Sequence, residues 1–124
     1  MIRVLIAEDS PHIRDSLTGL LAGEPDMDLV GAAVDGLEAV EKAAALRPQV
    51  VIMDAQMPRL DGVEATRRIK KELPGVGVLF FSVFTDYVEA SIDAGADGYV
   101  TKDCGVADLF CEIRRIASAI GSNG

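Results

Sequence analysis

The sequence predicts an α/β protein built on one parallel sheet of five strands with helices on both faces. Strand-like apolar runs alternate with helix-like segments five times along the 124 residues. Runs such as "IRVLIA" and "VVIM" are continuously apolar, which is typical of strands that are buried on both faces. Because βαβ crossovers are right-handed, five such units form an open, doubly wound sheet of the flavodoxin-like type, with strand order 2-1-3-4-5.

The first two units are marked by their capping and turn residues. "IRVLIA" predicts the first strand, and Ser10 followed by Pro11 marks the start of a helix that runs to Ala22. Gly23 is expected to end it in the left-handed conformation, and "MDLVGAA" predicts the second strand. The apolar positions expected on the core-facing sides are Ile13, Leu17, Leu20 and Leu21 in the first helix, and Leu37, Val40 and Ala44 in the second.

The last three units follow the same pattern. "VVIM", "VGVLFFS" and "GYVT" predict strands three, four and five. Asp61, with Glu64 three residues later, marks the start of the third helix as an N-cap with a capping-box partner. The fourth helix is predicted from Asp86 to Ala94, with Gly95 ending it. The core positions are Ile69 and Leu73 in the third helix, and Val106, Leu109, Ile113, Ile116 and Ile120 in the fifth.

Composition and charge exclude several classes of function. The 20 acidic residues outnumber the 12 basic ones, and a net charge of −8 without a basic stripe disfavours nucleic-acid binding. No apolar run approaches the roughly 18 residues of a membrane span. The apolar start of the chain meets Glu8 and Asp9 too early for a signal peptide. We therefore expect a cytoplasmic protein that binds neither nucleic acid nor membrane directly.

The polar residues that follow the strands gather at one edge of the predicted sheet. Glu8 and Asp9 follow strand one, Asp54 follows strand three, Ser82 ends strand four and Lys102 follows strand five. Ligands of open parallel sheets bind outside the carboxyl ends of the strands. Each residue alone has an ordinary structural role, as a cap, a turn residue or a surface cation. Nothing similar gathers at the opposite edge, which favours a functional site here.

Three carboxylates, a hydroxyl and an ammonium group at one edge favour phosphoryl transfer. Crowded carboxylates repel one another unless they bind protons or a cation. Oxygen ligands without His or Cys suit Mg²⁺ or Mn²⁺ rather than zinc. A carboxylate nucleophile beside a hard cation and a lysine has the parts that phosphoryl transfer requires. On these grounds alone, either Asp9 or Asp54 fits the role of the nucleophile.

Four segments, "AEDS", "DAQMPRLDG", "FFS" and "GADGYVTKD", occur in this order at the ends of the predicted strands. They resemble the acidic pair, the phosphoacceptor motif, the hydroxyl position and the aromatic-and-lysine segment of bacterial two-component response-regulator receiver domains. The resemblance covers nearly the whole chain and implies a CheY-like fold. It assigns residues 1–120 to a receiver domain and leaves residues 121–124 as a frayed tail or the start of a linker.

The resemblance implies which residues accept the phosphoryl group and bind the metal. Asp54 is expected to accept a phosphoryl group from the phosphohistidine of a sensor histidine kinase. Asp9, Asp54 and the backbone carbonyl of Gln56 are expected to bind Mg²⁺ directly, with Glu8 acting through water. The domain is not expected to be an enzyme beyond its own phosphorylation and dephosphorylation.

The resemblance also implies how the phosphoryl group is bound and sensed. Lys102 and Ser82 are expected to bind it, and Ser82 and Tyr99 to form the switch, with Tyr99 filling the space that Ser82 vacates. Val83 is expected either to crowd the path of an attacking water or simply to pack at the strand end. His12, early in the first helix, is expected to be a solvated surface residue.

"GADGYVTKD" further resembles the NarL/LuxR-type subfamily, whose output is a C-terminal helix-turn-helix DNA-binding domain. No such module fits after Ala119. The resemblance therefore implies either a receiver separated from its output domain or a stand-alone receiver, and leaves room for a phosphorylation-dependent homodimer.

Three other interpretations remain open. A small flavodoxin-like cofactor binder needs a phosphate cradle rich in Ser, Thr and Gly after strand one, where "EDSPH" offers carboxylates. A phosphatase of the haloacid-dehalogenase type needs a second Asp two residues after the nucleophile, where this chain has Gln56. A pseudo-receiver that serves only as an interaction module is disfavoured because all five site positions carry competent residues.

Overall fold

Five strands and five helices alternate along the chain in the computed structural model, which describes residues 1–121. All strand pairs are parallel, and the order across the sheet is β2-β1-β3-β4-β5, which confirms the predicted fold class. The elements are β1 Ile2–Ala7, α1 Pro11–Ala22, β2 Met27–Ala33, α2 Gly36–Leu46, β3 Val50–Met53, α3 Gly62–Glu72, β4 Gly77–Ser82, α4 Val88–Ala94, β5 Gly98–Thr101 and α5 Val106–Gly121.

The central strands are buried because both of their faces are apolar. On one face, alternate residues of β1, β3 and β4 pack against α1 and α5 in a cluster that includes Ile6, Ile52, Leu79, Leu17 and Ile113. On the other face, the intervening residues pack against α2 and α3 in a second cluster that includes Leu5, Val51, Phe80, Ala39 and Ile69. Continuous apolar strands therefore supply two cores, one on each side of the sheet.

The predicted caps define the helix starts. The N–H of Ile13 donates to Ser10 Oγ at 3.4 Å, and the N–H of Glu64 donates to Asp61 Oδ1 at 2.8 Å. The capping box of α3 is only half formed, because the Glu64 carboxylate pairs with Arg67. The starts of α1 and α3 are thus confirmed, with Asp61 as the cap immediately before α3. Gly23 does end α1, but the prediction of a left-handed stop was wrong: its φ of −82° is right-handed, and its N–H donates to the carbonyl of Leu20.

Two element boundaries differ from those predicted. The fourth helix begins at Val88 rather than Asp86, because residues 85–88 form a turn in which the N–H of Val88 donates to the carbonyl of Thr85. Strand β4 begins at Gly77, one residue later than predicted, although Val76 remains buried.

Three residues placed on core-facing stripes are exposed. Leu20 and Val106 have exposed fractions of 37% and 46%, because both border a groove between α1 and the start of α5 that no other element covers within residues 1–121. Ala44 is exposed because α2 turns Ala39 and Ala43 toward the sheet. The spacing of apolar residues therefore predicted the helices correctly, but it predicted burial for some positions that the core does not reach.

The carboxyl end of the chain is only partly described. Helix α5 includes Gly121, and residues 122–124 lie outside the described residues. The tail over residues 121–124 and the domain boundary after residue 120 therefore stay predictions.

Candidate functional site

Four strands bring the predicted site residues to one edge of the sheet. Glu8 and Asp9 follow β1, Asp54 follows β3, Ser82 is the last residue of β4, and Lys102 follows β5. Strands β1 and β3 are neighbours although β2 lies between them in sequence. Asp54 therefore lies where the strand order reverses, which is the position at which doubly wound sheets bind ligands.

Backbone contacts fix the chain from which these side chains project. The N–H of Asp54 donates to the carbonyl of Ala7 at 3.0 Å, and the N–H of Lys102 donates to the carbonyl of Ser82 at 2.8 Å. Helix α3 begins directly against this edge, because a Cβ on Gly62 would lie only 2.0 Å from the carbonyl oxygen of Asp54. The glycine after Asp61 therefore allows the helix to start against the backbone of Asp54.

The three carboxylates form one cluster. Each of Glu8, Asp9 and Asp54 contributes an oxygen that lies within 4.8 Å of the other two. Glu8 and Asp54 are buried, with exposed fractions of 1% and 7%, whereas Asp9 is exposed. The cluster lines a cleft of about 230 Å³ that opens to solvent. This combination gives a small ligand a route to buried negative charge.

Lys102 is the cation of the site, and it lies closer to Glu8 than to Asp54. Its Nζ is 2.7 Å from Glu8 Oε1 and 3.5 Å from Asp54 Oδ1. Glu8 also accepts the N–H of Ser10 at 3.1 Å. Sequence reasoning placed Lys102 at this edge but did not predict that Glu8 would be its nearer partner.

Asp54 is costly to ionise in this arrangement. Burial first and the nearby Glu8 charge second together raise the pKa of the Asp54 carboxyl to about 7, although Lys102 acts in the opposite direction. Desolvation and repulsion from Glu8 thus raise the pKa of Asp54 by more than the ammonium group of Lys102 lowers it. A further positive charge in the cleft would favour the ionised carboxylate.

Ser82 and Tyr99 both contact Phe84, the second residue after β4. The N–H of Phe84 donates to Ser82 Oγ at 3.3 Å, and the hydroxyl of Tyr99 donates to the carbonyl of Phe84 at 2.6 Å. Ser82 is buried, and the Tyr99 ring stacks on Phe80 at a centroid distance of 5.7 Å. Both predicted switch residues therefore hold the loop between β4 and α4.

Gln56 connects the loop after β3 with the start of α4. Its N–H points to Asp54 Oδ1 at a long 3.4 Å, and its side-chain Nε2 donates to the hydroxyl of Tyr87 at 2.5 Å. Sequence reasoning missed Tyr87, because no motif or spacing relates it to Gln56, 31 positions earlier.

Two further predicted residues lie at the margins of the site. Val83 lines the cleft and is 62% exposed, so it is not packed away at the strand end. His12 is exposed, as expected, and borders the neighbouring groove between α1 and α5.

The donor set fits a hard divalent cation. The clustered atoms are carboxylate oxygens, one of them is accessible from solvent, and no His or Cys belongs to the group. Such oxygen ligands suit Mg²⁺ or Mn²⁺. The same cleft places a lysine and a hydroxyl around the most central carboxylate, which is the arrangement that phosphoryl transfer requires.

Among the described residues, none of the helices combines the length and the apolar character of a transmembrane segment.

Comparison with known proteins identifies the family. Residues 4–114 match the model of the response regulator receiver domain. A protein-glutamate methylesterase/protein-glutamine glutaminase of a Nocardioides species is 38% identical over 123 residues, which are 96% of this chain and 34% of that protein. Response regulator protein VraR of Staphylococcus aureus is 36% identical over 116 residues, 92% of this chain and 56% of that protein. The chain thus spans between about a third and just over half of these relatives' lengths.

Solved structures of response regulators have the same fold as this chain. The response regulator domain of Thermotoga maritima CheB superposes with a TM-score of 0.90 at 37% identity, covering 95% of this chain and 97% of that one. A LuxR-family response regulator from Aurantimonas superposes with a TM-score of 0.91 at 30% identity, covering 96% of this chain and 86% of that one. With its βα order, its acidic cleft and these matches, the chain belongs to the receiver domain family of two-component response regulators.

Proposed function

We propose that Asp54 is the phosphoacceptor of this receiver domain. The observation that supports this most strongly is its position at the switch point of the sheet, between the acidic residues after β1 and the ammonium of Lys102. Asp9 is the other candidate that the sequence left open. It is the exposed member of the cluster, which suits a cation ligand better than a nucleophile held in a shaped cleft.

The proposed reaction uses the ionised Asp54 carboxylate. One of its oxygens attacks the phosphorus of a kinase phosphohistidine, a P–O bond forms as the P–N bond breaks, and the imidazole nitrogen leaves. Lys102 then neutralises charge on the phosphoryl oxygens. Hydrolysis returns the site to its starting state: water attacks phosphorus, inorganic phosphate departs and the carboxylate is regenerated. These reactions of its own aspartate are the only catalysis that we assign to the chain.

Mg²⁺ would be held by Asp9, Asp54 and the backbone carbonyl of Gln56, with Glu8 acting through water. When bound, the cation supplies positive charge that stabilises the ionised carboxylate and the developing charge on the phosphoryl group. Mn²⁺ has the same oxygen preference and would serve as well.

The switch is proposed to run through Ser82 and Tyr99. The hydroxyl of Ser82 accepts the N–H of Phe84 in the resting structure, and its own proton remains available to a phosphoryl oxygen. If Ser82 turns toward Asp54, its hold on Phe84 is lost. The contact of Tyr99 with the same residue links this change to β5, so that the face formed by α4, β5 and α5 responds.

The proposed partners are supported by family membership and by the greater length of the relatives. A sensor histidine kinase in the cytoplasm is the proposed phosphoryl donor. The relatives are longer than this chain, and two similar structures belong to LuxR-family regulators. We therefore propose that the intact protein carries a C-terminal helix-turn-helix domain that binds DNA, and that phosphorylation favours a homodimer. The net charge of −8 argues against DNA binding by the receiver itself.

Intact-mass spectrometry tests the central proposal. The protein is incubated with acetyl phosphate and Mg²⁺, and the fraction that gains the mass of one phosphoryl group is measured. Asp54→Asn is expected to abolish the adduct. Asp103→Asn, which removes an exposed carboxylate next to Lys102, is the matched control and is expected to retain it. An undiminished adduct in Asp54→Asn would overturn the assignment.

A further inference from the structure

The Gln56–Tyr87 contact joins the two loops on either side of the cleft. Gln56 belongs to the loop between β3 and α3, and Tyr87 is the residue immediately before α4. The Tyr87 ring is half-buried and packs against the core cluster shared by α2 and α3, so its hydroxyl is held in place. The exposed Gln56 side chain reaches across and donates to that hydroxyl at 2.5 Å.

Gln56 has weak support from the rest of its own loop. Within residues 1–121, its other recorded hydrogen bond is the long 3.4 Å contact of its N–H with Asp54 Oδ1. The carbonyl of the preceding residue, Ala55, accepts the N–H of Gly62 at 3.0 Å, and further along the loop Arg59 pairs with Asp35 at 2.9 Å; neither contact holds the Gln56 side chain. The contact with Tyr87 is therefore the short, well-anchored restraint on the Gln56 side chain, two residues after Asp54.

We propose that Tyr87 is a positioning residue of the phosphoryl-transfer site, which acts by holding Gln56 so that its backbone carbonyl is set for a divalent cation. This inference rests on the proposed function, because it uses the assignment of the Gln56 carbonyl to the cation. The cation would otherwise have to order this part of the loop as it binds, and that loss of freedom would weaken its binding.

A surface contact without such a role would behave differently. If the contact has no positioning role, removal of the Tyr87 hydroxyl leaves Mg²⁺ binding unchanged. If the contact positions the loop, its loss is expected to raise the Mg²⁺ concentration for half-saturation by about two- to tenfold, the range that corresponds to one net hydrogen bond. The maximum phosphorylation rate at saturating Mg²⁺ is expected to change much less.

The experiment is a double-mutant cycle with Tyr87→Phe, Gln56→Ala and the combined variant. Mg²⁺ binding is followed by NMR, from the amide signals of residues 54–56, so that the measurement does not depend on phosphorylation. Phosphorylation by acetyl phosphate is then measured as a function of Mg²⁺, which separates the half-saturating concentration from the maximum rate. Tyr87→Phe keeps the packed ring, and Gln56→Ala keeps the backbone carbonyl and changes only an exposed side chain.

The expected result is that each single variant weakens Mg²⁺ binding and that the combined variant is no weaker than either. Unchanged or tighter binding in Tyr87→Phe, or additive losses in the combined variant, would overturn the inference. If Tyr87→Phe folds poorly, unchanged binding in Gln56→Ala overturns it equally. A wild-type protein that binds Mg²⁺ but never gains a phosphoryl group would count against the proposed function alone, because the binding cycle would still decide the role of Tyr87.

Discussion

Replacement of Asp54 by Asn is expected to change how the stability of the protein depends on pH. The Asp54 carboxyl has its pKa raised from 3.8 to about 7, first by burial and then by the charge of Glu8, with Lys102 opposing. Because the folded-state pKa is raised, the folded protein favours the protonated carboxyl. The corresponding stabilisation is fully present below about pH 4 and is lost as the pH rises through 7. Asp54→Asn keeps the shape of the protonated acid but cannot ionise.

The size of the effect follows from the pKa shift. At about 1.4 kcal/mol per pH unit, a rise from 3.8 to about 7 gives an upper limit of about 4 kcal/mol. The cleft opens to solvent, which screens the charges, so about 2 kcal/mol is the realistic expectation. Metal-free Asp54→Asn is therefore expected to be about 2 kcal/mol more stable, relative to the wild type, at pH 8 than at pH 4.5.

Urea unfolding in EDTA at several pH values between 4.5 and 8 measures this difference. The difference between the two proteins reports the effect of the Asp54 charge, because the variant differs from the wild type at that residue alone. At pH 8, Mg²⁺ is expected to reduce the difference in unfolding free energy between the two proteins. The cation stabilises the ionised wild-type carboxylate, and the variant offers it one carboxylate ligand fewer. If the difference in unfolding free energy between Asp54→Asn and the wild type is the same at pH 4.5 and at pH 8, ionisation of Asp54 does not destabilise the folded protein and the reasoning is refuted.

Three further predictions concern the cation, the lifetime and the switch. Asp9→Ala is expected to lose most of the increase in melting temperature that Mg²⁺ gives the wild type, because an accessible ligand is removed; equal Mg²⁺ stabilisation of both proteins would exclude this site. Val83→Ala is expected to shorten the half-life of the acyl phosphate severalfold, because Val83 lines the cleft, and an unchanged half-life means that it shields nothing. With beryllofluoride as the phosphoryl mimic, NMR signals from Phe84 to Tyr99 are expected to move less in Ser82→Ala than in the wild type, by an amount that reflects a coupling of about 1–3 kcal/mol. Equal movement would show that Ser82 does not transmit the signal.

The strands were the most predictable part of the fold. Strands β1, β2, β3 and β5 have the predicted bounds, because each is an apolar run interrupted sharply by polar or turn residues. The right-handed crossover of βαβ units leaves few arrangements for five parallel strands, and the flavodoxin-like type among them has the observed order. Local sequence and general topology were therefore sufficient for the sheet.

The depth of burial along the helices was less predictable. Leu20 and Val106 share the apolar spacing of their neighbours Leu17 and Leu109, yet they are exposed where the latter are buried. Helical periodicity identifies the face of a helix that turns inward, but it carries no information about where the opposing element ends. That limit is set by how α1 and α5 sit on the sheet, which is a tertiary property.

The candidate site was predictable in its position but not in its pairings. The carboxyl ends of parallel strands must share one edge, so Glu8, Asp54, Ser82 and Lys102 were brought together by topology alone. The choice of Lys102 between Glu8 and Asp54 depends on differences of less than 1 Å that no sequence pattern encodes. The Tyr87 contact depends on a loop conformation, and loops follow motif rules much less closely than strands do.

The resting position of Lys102 has a consequence for the proposed reaction. Its ammonium lies nearer to Glu8, so much of its charge stabilises a carboxylate that is almost fully buried. If Lys102 moves from Glu8 toward a phosphoryl group on Asp54, the buried Glu8 carboxylate loses its nearest positive charge unless another cation replaces the ammonium. A divalent cation held near Glu8 would supply that charge. In the proposed reaction we therefore expect Mg²⁺ to favour phosphorylation of Asp54, and by linkage we expect the phosphorylated protein to bind Mg²⁺ more tightly.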